Sequence, residues 1–241
     1  MKTTVVIPTY NEAANLPRLV QELLGLGIEG LHILVVDDNS PDGTGEVAEA
    51  LARDHPGRIG VIHRQGKQGL ATAYFAGWAR ALEEGADYII EMDADFSHSP
   101  SYIPQFLDKI QEYDVVVGSR FVKGGSVDPG WGLGRKLLSR LGNLYARLIT
   151  GLKVKDTTAG FKCFRREVLA ALDFSLIKSR GYIFQTEVAY ACQRLGFRVT
   201  EVPISFRQRA AGESKMSFKI FYEALWRPWR IRLHPPLKRR G

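Results

Sequence analysis

From Thr3 to about residue 120, short β-branched runs alternate with stretches of helical periodicity, and few folds accommodate that alternation. Thr3–Ile7 is a β-branched run ended by Pro8, which reads as a strand. Leu16, Leu19, Val20, Leu23 and Leu24 then recur at the 3.6-residue period of a helix, with Asn11 placed to cap it. Leu31–Val36 is continuously apolar, the pattern of a strand covered on both faces. Further strands are predicted over Arg58–Ile62, Tyr88–Met92 and Asp114–Gly118. Helices are predicted after Thr44 as cap, over the segment carrying Ala71, Phe75, Trp78, Ala79 and Leu82, and over Ile103–Gln111. Strand–helix alternation of this kind implies an α/β fold with a parallel sheet, right-handed crossovers and helices on both faces.

In such a sheet, ligands bind outside the carboxyl ends of the strands. Those ends carry Pro8-Thr9-Tyr10-Asn11-Glu12, Val36-Asp37-Asp38, Asp93-Ala94-Asp95 and Gly118-Ser119-Arg120. Three acidic ends and one Arg converge, while the glycine fingerprints of dinucleotide and P-loop sites are missing. Asp93 and Asp95 are i and i+2, so in extended backbone both carboxylates project the same way and repel unless a cation lies between them. Hard oxygen ligands suit Mg²⁺ or Mn²⁺ bridging to substrate phosphates. The same residues are also compatible with a solvated loop that caps a helix begun by Ser99-Pro100. In the nucleotide reading, Asp38 accepts from base or ribose, Tyr10 offers an aromatic face, and a metal at Asp95 holds a diphosphate.

Composition narrows the partners. The chain has 241 residues, a net charge of +7 and a pI near 9.4, which favour an anionic partner. No RNA- or DNA-binding motif is present, leaving nucleotide phosphates or anionic lipid over nucleic acid. The two cysteines, Cys163 and Cys192, form no CxxC or Cys/His cluster, which points to a reducing compartment and away from structural zinc. No signal-peptide core precedes Pro8 and Glu12, and no apolar run reaches the roughly 18 residues a membrane span needs.

The second half is less regular. Gly124–Gly134 reads as a loop, and Arg135–Ile149 as a helix with Leu137, Leu138, Leu141, Leu144, Tyr145 and Leu148 on one stripe. Arg135, Lys136, Arg140 and Arg147 flank that stripe, so the helix either packs on the sheet with a solvated basic face or lies on a membrane surface. A helix over Ile183–Leu195 carries Gln185 and Glu187; a strand over Phe197–Phe206, a polar loop over Arg207–Lys215 and a helix from Ser217 to Trp226 follow. Residues 1–225 are expected to form one domain, with an amphipathic segment over about 132–150. Residues 226–241 then form a basic tail that either meets anionic lipid through its Trp and Arg residues or is a disordered cationic end.

The strand-end motifs, extended through Asp37-Asp38-Asn39-Ser40-Pro41-Asp42-Gly43-Thr44, Asp156-Thr157-Thr158-Ala159-Gly160-Phe161-Lys162, Gly181-Tyr182-Ile183-Phe184-Gln185-Thr186-Glu187 and Gly212-Glu213-Ser214-Lys215, resemble family 2 glycosyltransferases over nearly the whole chain. More narrowly they resemble the dolichyl- or polyprenyl-phosphate mannosyltransferases. The resemblance implies a glycosyltransferase A (Rossmann-like) fold with amphipathic interface helices. It implies donor contacts at Pro8, Tyr10, Glu12, Val36, Asp38, Asp93 and Ala94, with a metal at Asp95 assisted by Ser97, a position often Gln in relatives. Arg120, Arg209 and Lys215 are implied to meet donor or acceptor phosphates and to act with Asp95 in catalysis; Arg120, Arg135 and Ser139 are implied to hold the acceptor phosphate. The implied reaction is inverting transfer of mannose from GDP-mannose to a polyprenyl monophosphate, at the cytoplasmic face of a membrane, with an anchoring partner subunit allowed. Another donor such as UDP-glucose, or a non-catalytic lipid- or partner-binding subunit, are the alternatives. The acceptor phosphate is already anionic near neutral pH, so this chemistry needs alignment and electrostatics rather than a strong general base.

Overall fold

A computed structural model of the chain describes residues 1–179, 181–207 and 218–237, with side chains left aside over 218–224. The strands are β1 (Thr3–Thr9), β2 (Leu31–Asp37), β3 (Ile59–His63), β4 (Tyr88–Glu91), β5 (Val115–Ser119), β6 (Ser126–Val127), β7 (Lys162–Arg165), β8 (Val199–Pro203) and β9 (Ser205–Phe206). The helices are α1 (Leu16–Leu24), α2 (Thr44–Asp54), α3 (Leu70–Glu83), α4 (Ile103–Lys109), α5 (Leu133–Thr150), α6 (Arg166–Ala171), α7 (Phe184–Arg194) and α8 (Phe218–Leu233). Seven strands form one sheet in the order β3-β2-β1-β4-β7-β5-β8, and β6 pairs with β9 beside it. Every pairing in the large sheet is parallel except those of β7, which runs antiparallel to both β4 and β5.

The sheet is covered on both faces. Because side chains alternate along a strand, Val5, Ile7, Ile33, Val35 and Ile90 pack against Leu16, Leu19, Ala48 and Phe106 of α1, α2 and α4. Val6, Leu34, Val36, Ile89 and Val117 turn the other way, onto Tyr74 and Trp78 of α3, Val168 of α6 and Phe184 and Val188 of α7. Helix α3 comes so close that a Cβ on Gly77 would lie 2.2 Å from Val6 Cγ1.

Several boundaries differ from the sequence reading. Helix α1 starts at Leu16 with Pro17 in its first turn, and Asn11 lies upstream in the left-handed region (φ 62°) rather than capping it. Gly43 (φ 85°), not Thr44, is the residue flanking α2; the Thr44 hydroxyl is engaged with Asp42 and Glu12. The strand expected over Phe197–Phe206 splits into β8 and β9 at Pro203, which has no N–H for a ladder. The final helix continues past Trp226 to Leu233 despite Pro228, and Arg227 and Ile231 are buried, so the first part of the expected tail is packed structure.

For α5 the sequence left two arrangements open, and the outward-facing one is observed. Its leucines point outward: Leu137, Leu141 and Leu148 are 60%, 52% and 74% exposed, while Asn143, Ala146 and Thr150 face the protein. The packed-helix alternative required the opposite. Helix α8 lies along α5, where Tyr145 Oη donates to Leu225 O and accepts from Trp229 Nε1 at 3.0 Å. No helix among the described residues is long and apolar enough to cross a membrane.

Candidate functional site

The loop after β2 builds the loop after β1. Asp37 accepts from the Thr9 hydroxyl (3.0 Å) and from Ser40, whose Oγ accepts in turn from Asn11 N (3.1 Å). Asp42 accepts from Ala13 N and Thr44 Oγ1 from Glu12 N (2.9 Å). The acidic turn residues therefore fix the backbone from Asn11 to Ala13, with Tyr10 and Glu12 at the strand end. Pro8 sits on β1 beside Val36 of β2, and the Val36 side chain is core, so that position offers a ligand only backbone.

Asp38 is buried and doubly engaged: Arg64 Nη1 donates to one oxygen and Gln68 N to the other. Arg64 also reaches Gln68 Oε1 and Thr72 Oγ1, and Lys67 Nζ lies 3.9 Å over the Tyr10 ring. The segment between β3 and α3 thus brings two cations, Arg64 just after β3 and Lys67 in the glycine-bounded loop 66–69, to the end of β2, a contribution the sequence reading missed. Its only signal there was the Gly66–Gly69 spacing before α3.

After β4 the chain turns through Asp93, Ala94, Asp95, Phe96, Ser97 and His98. Phe96 adopts φ 60°, uncommon for a bulky residue, and this bend lets Ser97 N donate to Asp95 Oδ1 at 3.0 Å. Asp93 accepts from Tyr74 Oη at 2.9 Å; burial, then the Asp93 charge, push the Tyr74 phenol well above its ordinary value, so it stays a donor. Asp95, Ser97 and His98 are all buried, and Ser97 Oγ and His98 Nδ1 have no hydrogen-bond partner among the described residues. Burial holds His98 down to about 4; Asp95 opposes that and Arg120 adds to it, leaving the imidazole neutral at pH 7.

Arg120, at the end of β5, forms a two-pronged pair with Asp156: Nε to Oδ2 at 2.7 Å and Nη2 to Oδ1 at 2.6 Å, with Nη2 also on Thr158 Oγ1. Asp156 is fully buried and also takes Arg120 N, so the guanidinium is rigidly aimed. Two cavities adjoin it. One, of about 70 Å³, is lined by Asp93, Ser97, His98, Gly160, Gln185 and Arg120. The other, of about 250 Å³, is lined by Arg120, Arg140, Asn143, Leu144, Arg147 and Lys155 among others.

Beneath the first cavity lies an ion pair absent from the sequence reading. Glu91 and Lys162 are register partners on β4 and β7, with Nζ to Oε1 at 2.9 Å and both side chains out of solvent. Lys162 Nζ also donates to Ala159 O and to Gln185 Oε1. Glu187, the remaining acid on α7, accepts from Lys178 N and Ser179 N and so caps the preceding loop.

The structure thus brings Asp93, Ser97 and Arg120 around one cavity; Ala94 and Asp95 are buried in the same loop without lining it, Asp95 bonded to Ser97 N, and Asp38 and Tyr10 stand at the neighbouring strand ends. Arg135 stands apart, exposed and stacked 3.8 Å over Trp131, and Ser139 is half-buried one turn later; neither lines a cavity. Arg209 and Lys215 lie outside the described residues. Among the described residues no group of three or more His, Cys, Asp or Glu side chains gathers as a metal site. Asp95 with the unpartnered Ser97 hydroxyl nonetheless fits a hard cation that takes most of its ligands from phosphate and water.

Residues 4–173 match the model of glycosyl transferase family 2. The chain is 44% identical over 234 residues to the polyprenol monophosphomannose synthase of Mycolicibacterium smegmatis, covering 96% of this chain and 88% of that one. It is also 44% identical over 225 residues to the undecaprenyl-phosphate mannosyltransferase of Micrococcus luteus, covering 93% and 91%. Among solved structures, the glucosyl-3-phosphoglycerate synthase of Mycobacterium tuberculosis in complex with Mn²⁺, UDP and phosphoglyceric acid superposes with a TM-score of 0.67 at 20% identity, over 96% of this chain and 77% of that one. That likeness carries the fold, a glycosyltransferase A-like sheet. By motif, by matched length and by identity, the chain belongs to glycosyl transferase family 2.

Proposed function

We propose that this protein transfers mannose from GDP-mannose to a polyprenyl (dolichyl-type) monophosphate, inverting the anomeric centre. The observation that carries the reading is the single cavity where the acidic loop Asp93–Ser97 meets the rigidly held Arg120 at the carboxyl edge of the sheet. Two relatives at 44% identity, named for mannosyl transfer to polyprenyl or undecaprenyl phosphate, support the choice of sugar and acceptor.

The donor nucleotide lies along Pro8, Tyr10, Glu12, Val36 and Asp38, with Asp93 and Ala94 nearer the sugar. Asp38 is already paired with Arg64, so it presents its outer lone pairs and the Arg64–Lys67 loop supplies positive charge. Asp95, assisted by Ser97, would hold Mg²⁺ or Mn²⁺, which neutralises diphosphate charge when bound. An acceptor phosphate oxygen attacks the anomeric carbon, a new C–O bond forms as the bond to GDP breaks, and the configuration inverts. His98, held down to about 4 by burial, is a weak base, and an anionic acceptor needs none. Arg120, with Arg209 and Lys215, meets charge on the departing or attacking phosphates, and Arg135 and Ser139 meet the acceptor phosphate.

The acceptor's hydrocarbon must stay in lipid, and the outward leucines of α5, flanked by basic residues, supply a surface for it. We place the protein peripherally on the cytoplasmic face of a membrane, as one catalytic domain through about residue 225 with an anchoring subunit as the alternative attachment. Transfer of radiolabel from GDP-mannose to a short polyprenyl phosphate with Mn²⁺ tests the reading, with UDP-glucose run in parallel. A β-mannosyl phosphate product is expected; label moving only from UDP-glucose, or from neither donor, overturns it.

A further inference from the structure

We infer that the cavity between α5 and the end of β5 is a second phosphate site, in which Arg140, Arg147 and Lys155 hold the phosphate of a membrane lipid beside Arg120. The inference rests on the lipid-acceptor reading above but concerns residues that reading does not use.

The cavity has room for a headgroup, at about 250 Å³, and is lined by four cations and no carboxylate. Arg120 is neutralised by Asp156, but among the described residues Arg140, Arg147 and Lys155 form no ion pair. Nearby acids are committed elsewhere. Asp156 is spent on Arg120, and Glu201 accepts from the backbone N–H groups of Lys155 (2.8 Å) and Asp156 (3.0 Å). Asn143 is likewise turned inward, onto Thr157 N and Oγ1. Arg147 Nε is buried with no hydrogen-bond partner, a donor group left unanswered where the charge is densest. Three uncompensated cations around one concavity repel one another, and an anion there would remove that repulsion.

The kind of anion follows from what adjoins the cavity. Leu144 lines its wall and belongs to the exposed leucine stripe, so an amphiphile lying on the stripe reaches the cavity with its head. At the inner end, Arg120 lines both this cavity and the one containing Asp93, Ser97 and His98. A phosphate held here is therefore next to the group already facing the donor side. A lipid phosphate is the shared chemistry, either the monoester of the polyprenyl acceptor or the diester of an anionic phospholipid.

The test compares the wild type with Arg140→Gln/Arg147→Gln/Lys155→Gln and with a charge-matched control, Arg53→Gln/Lys109→Gln/Arg194→Gln, on helices α2, α4 and α7. Flotation is measured on phosphatidylcholine vesicles, alone or doped with polyprenyl monophosphate or with phosphatidylglycerol. Loss of charge-assisted phosphate contacts predicts that the cavity variant loses about tenfold or more in binding to doped vesicles, and the control under about threefold. Loss confined to the polyprenyl phosphate arm identifies the acceptor as the ligand, and loss in both arms identifies any lipid phosphate. In detergent micelles, the Michaelis constant for polyprenyl phosphate then rises in the cavity variant while that for GDP-mannose stays put. Equal losses in cavity and control variants would mean general surface charge only and overturn the site. A wild type that binds doped vesicles through these residues but transfers no mannose would refute the proposed reaction instead.

Discussion

Lys162→Met probes the charge buried beneath the donor-side cavity. Glu91 is 0% exposed and Lys162 1%, so neither end of the pair is reached by water. At 2.9 Å their attraction is about 6 kcal/mol with an effective dielectric near 20, and each ion's desolvation cancels several kcal/mol of that. Removing only the ammonium leaves the carboxylate, Ala159 O and Gln185 Oε1 without their donor, and breaking such a pair costs roughly 3–5 kcal/mol. Burial already holds the Glu91 carboxyl above its ordinary value, with Lys162 the main opposing influence. Without Lys162 the carboxyl rises further and folds protonated. A group whose folded value is raised stabilises fully below its unfolded value and loses that contribution as pH climbs. The deficit of Lys162→Met should therefore grow from pH 4 to pH 8 in urea titrations. Lys162→Met/Glu91→Leu should recover part of it, with a coupling energy of about 2 kcal/mol or more. A deficit below about 1 kcal/mol, or one independent of pH, would refute the claim that this pair is desolvated and coupled.

Asp95→Ala should lower transfer by about a thousandfold or more, because charge on the departing diphosphate goes uncompensated; radiolabel assays near the wild-type rate would rule out its role. His98 folds with a value of about 4 against 6.5 unfolded, so the unfolded chain takes up more protons between those values. Compared with His98→Gln in a chelating buffer, the wild type should lose up to about 3 kcal/mol as pH falls from 7 towards 4, and parallel pH profiles would contradict a buried neutral imidazole. Leu137→Ser/Leu141→Ser/Leu148→Ser touches only exposed side chains, so its melting should match the wild type while its binding to anionic vesicles falls by about tenfold or more. Unchanged vesicle binding would remove α5 as the lipid-facing surface.

What was legible in the sequence follows from how local each signal is. Strands β1, β2, β4 and β5 are apolar runs, and α1 and α3 carry a plain helical period, so the sheet and its ligand-binding edge could be read directly. Strand β7 could not. Lys162-Cys163-Phe164-Arg165 is four residues with a base at each end, and it is a strand because β4 and β5 flank it and Glu91 answers its lysine across 71 residues. The Arg120–Asp156 pair, 36 residues apart, and the Arg64–Asp38 pair, 26 apart, are invisible for the same reason. Both change the chemistry of residues the motifs had singled out: a guanidinium and a carboxylate read as free ligands prove to be paired and preorganised.

Periodicity also has no sign. The leucines of α5 share one face whether that face meets the sheet or the solvent, and what settles the matter is the opposite face. Asn143 is fixed by Thr157 N and Oγ1, and the small buried Ala146 and Thr150 let the helix approach closely. A helix anchored by polar and small residues has no core side left for its leucines, so they are left for another solvent. The same anchoring sets Arg140 and Arg147 on the flank nearest Arg120, so one helix presents apolar area outward and cations towards the strand ends. An amphiphile bearing a phosphate head matches both faces at once, whereas a nucleotide matches only the second and a neutral lipid only the first.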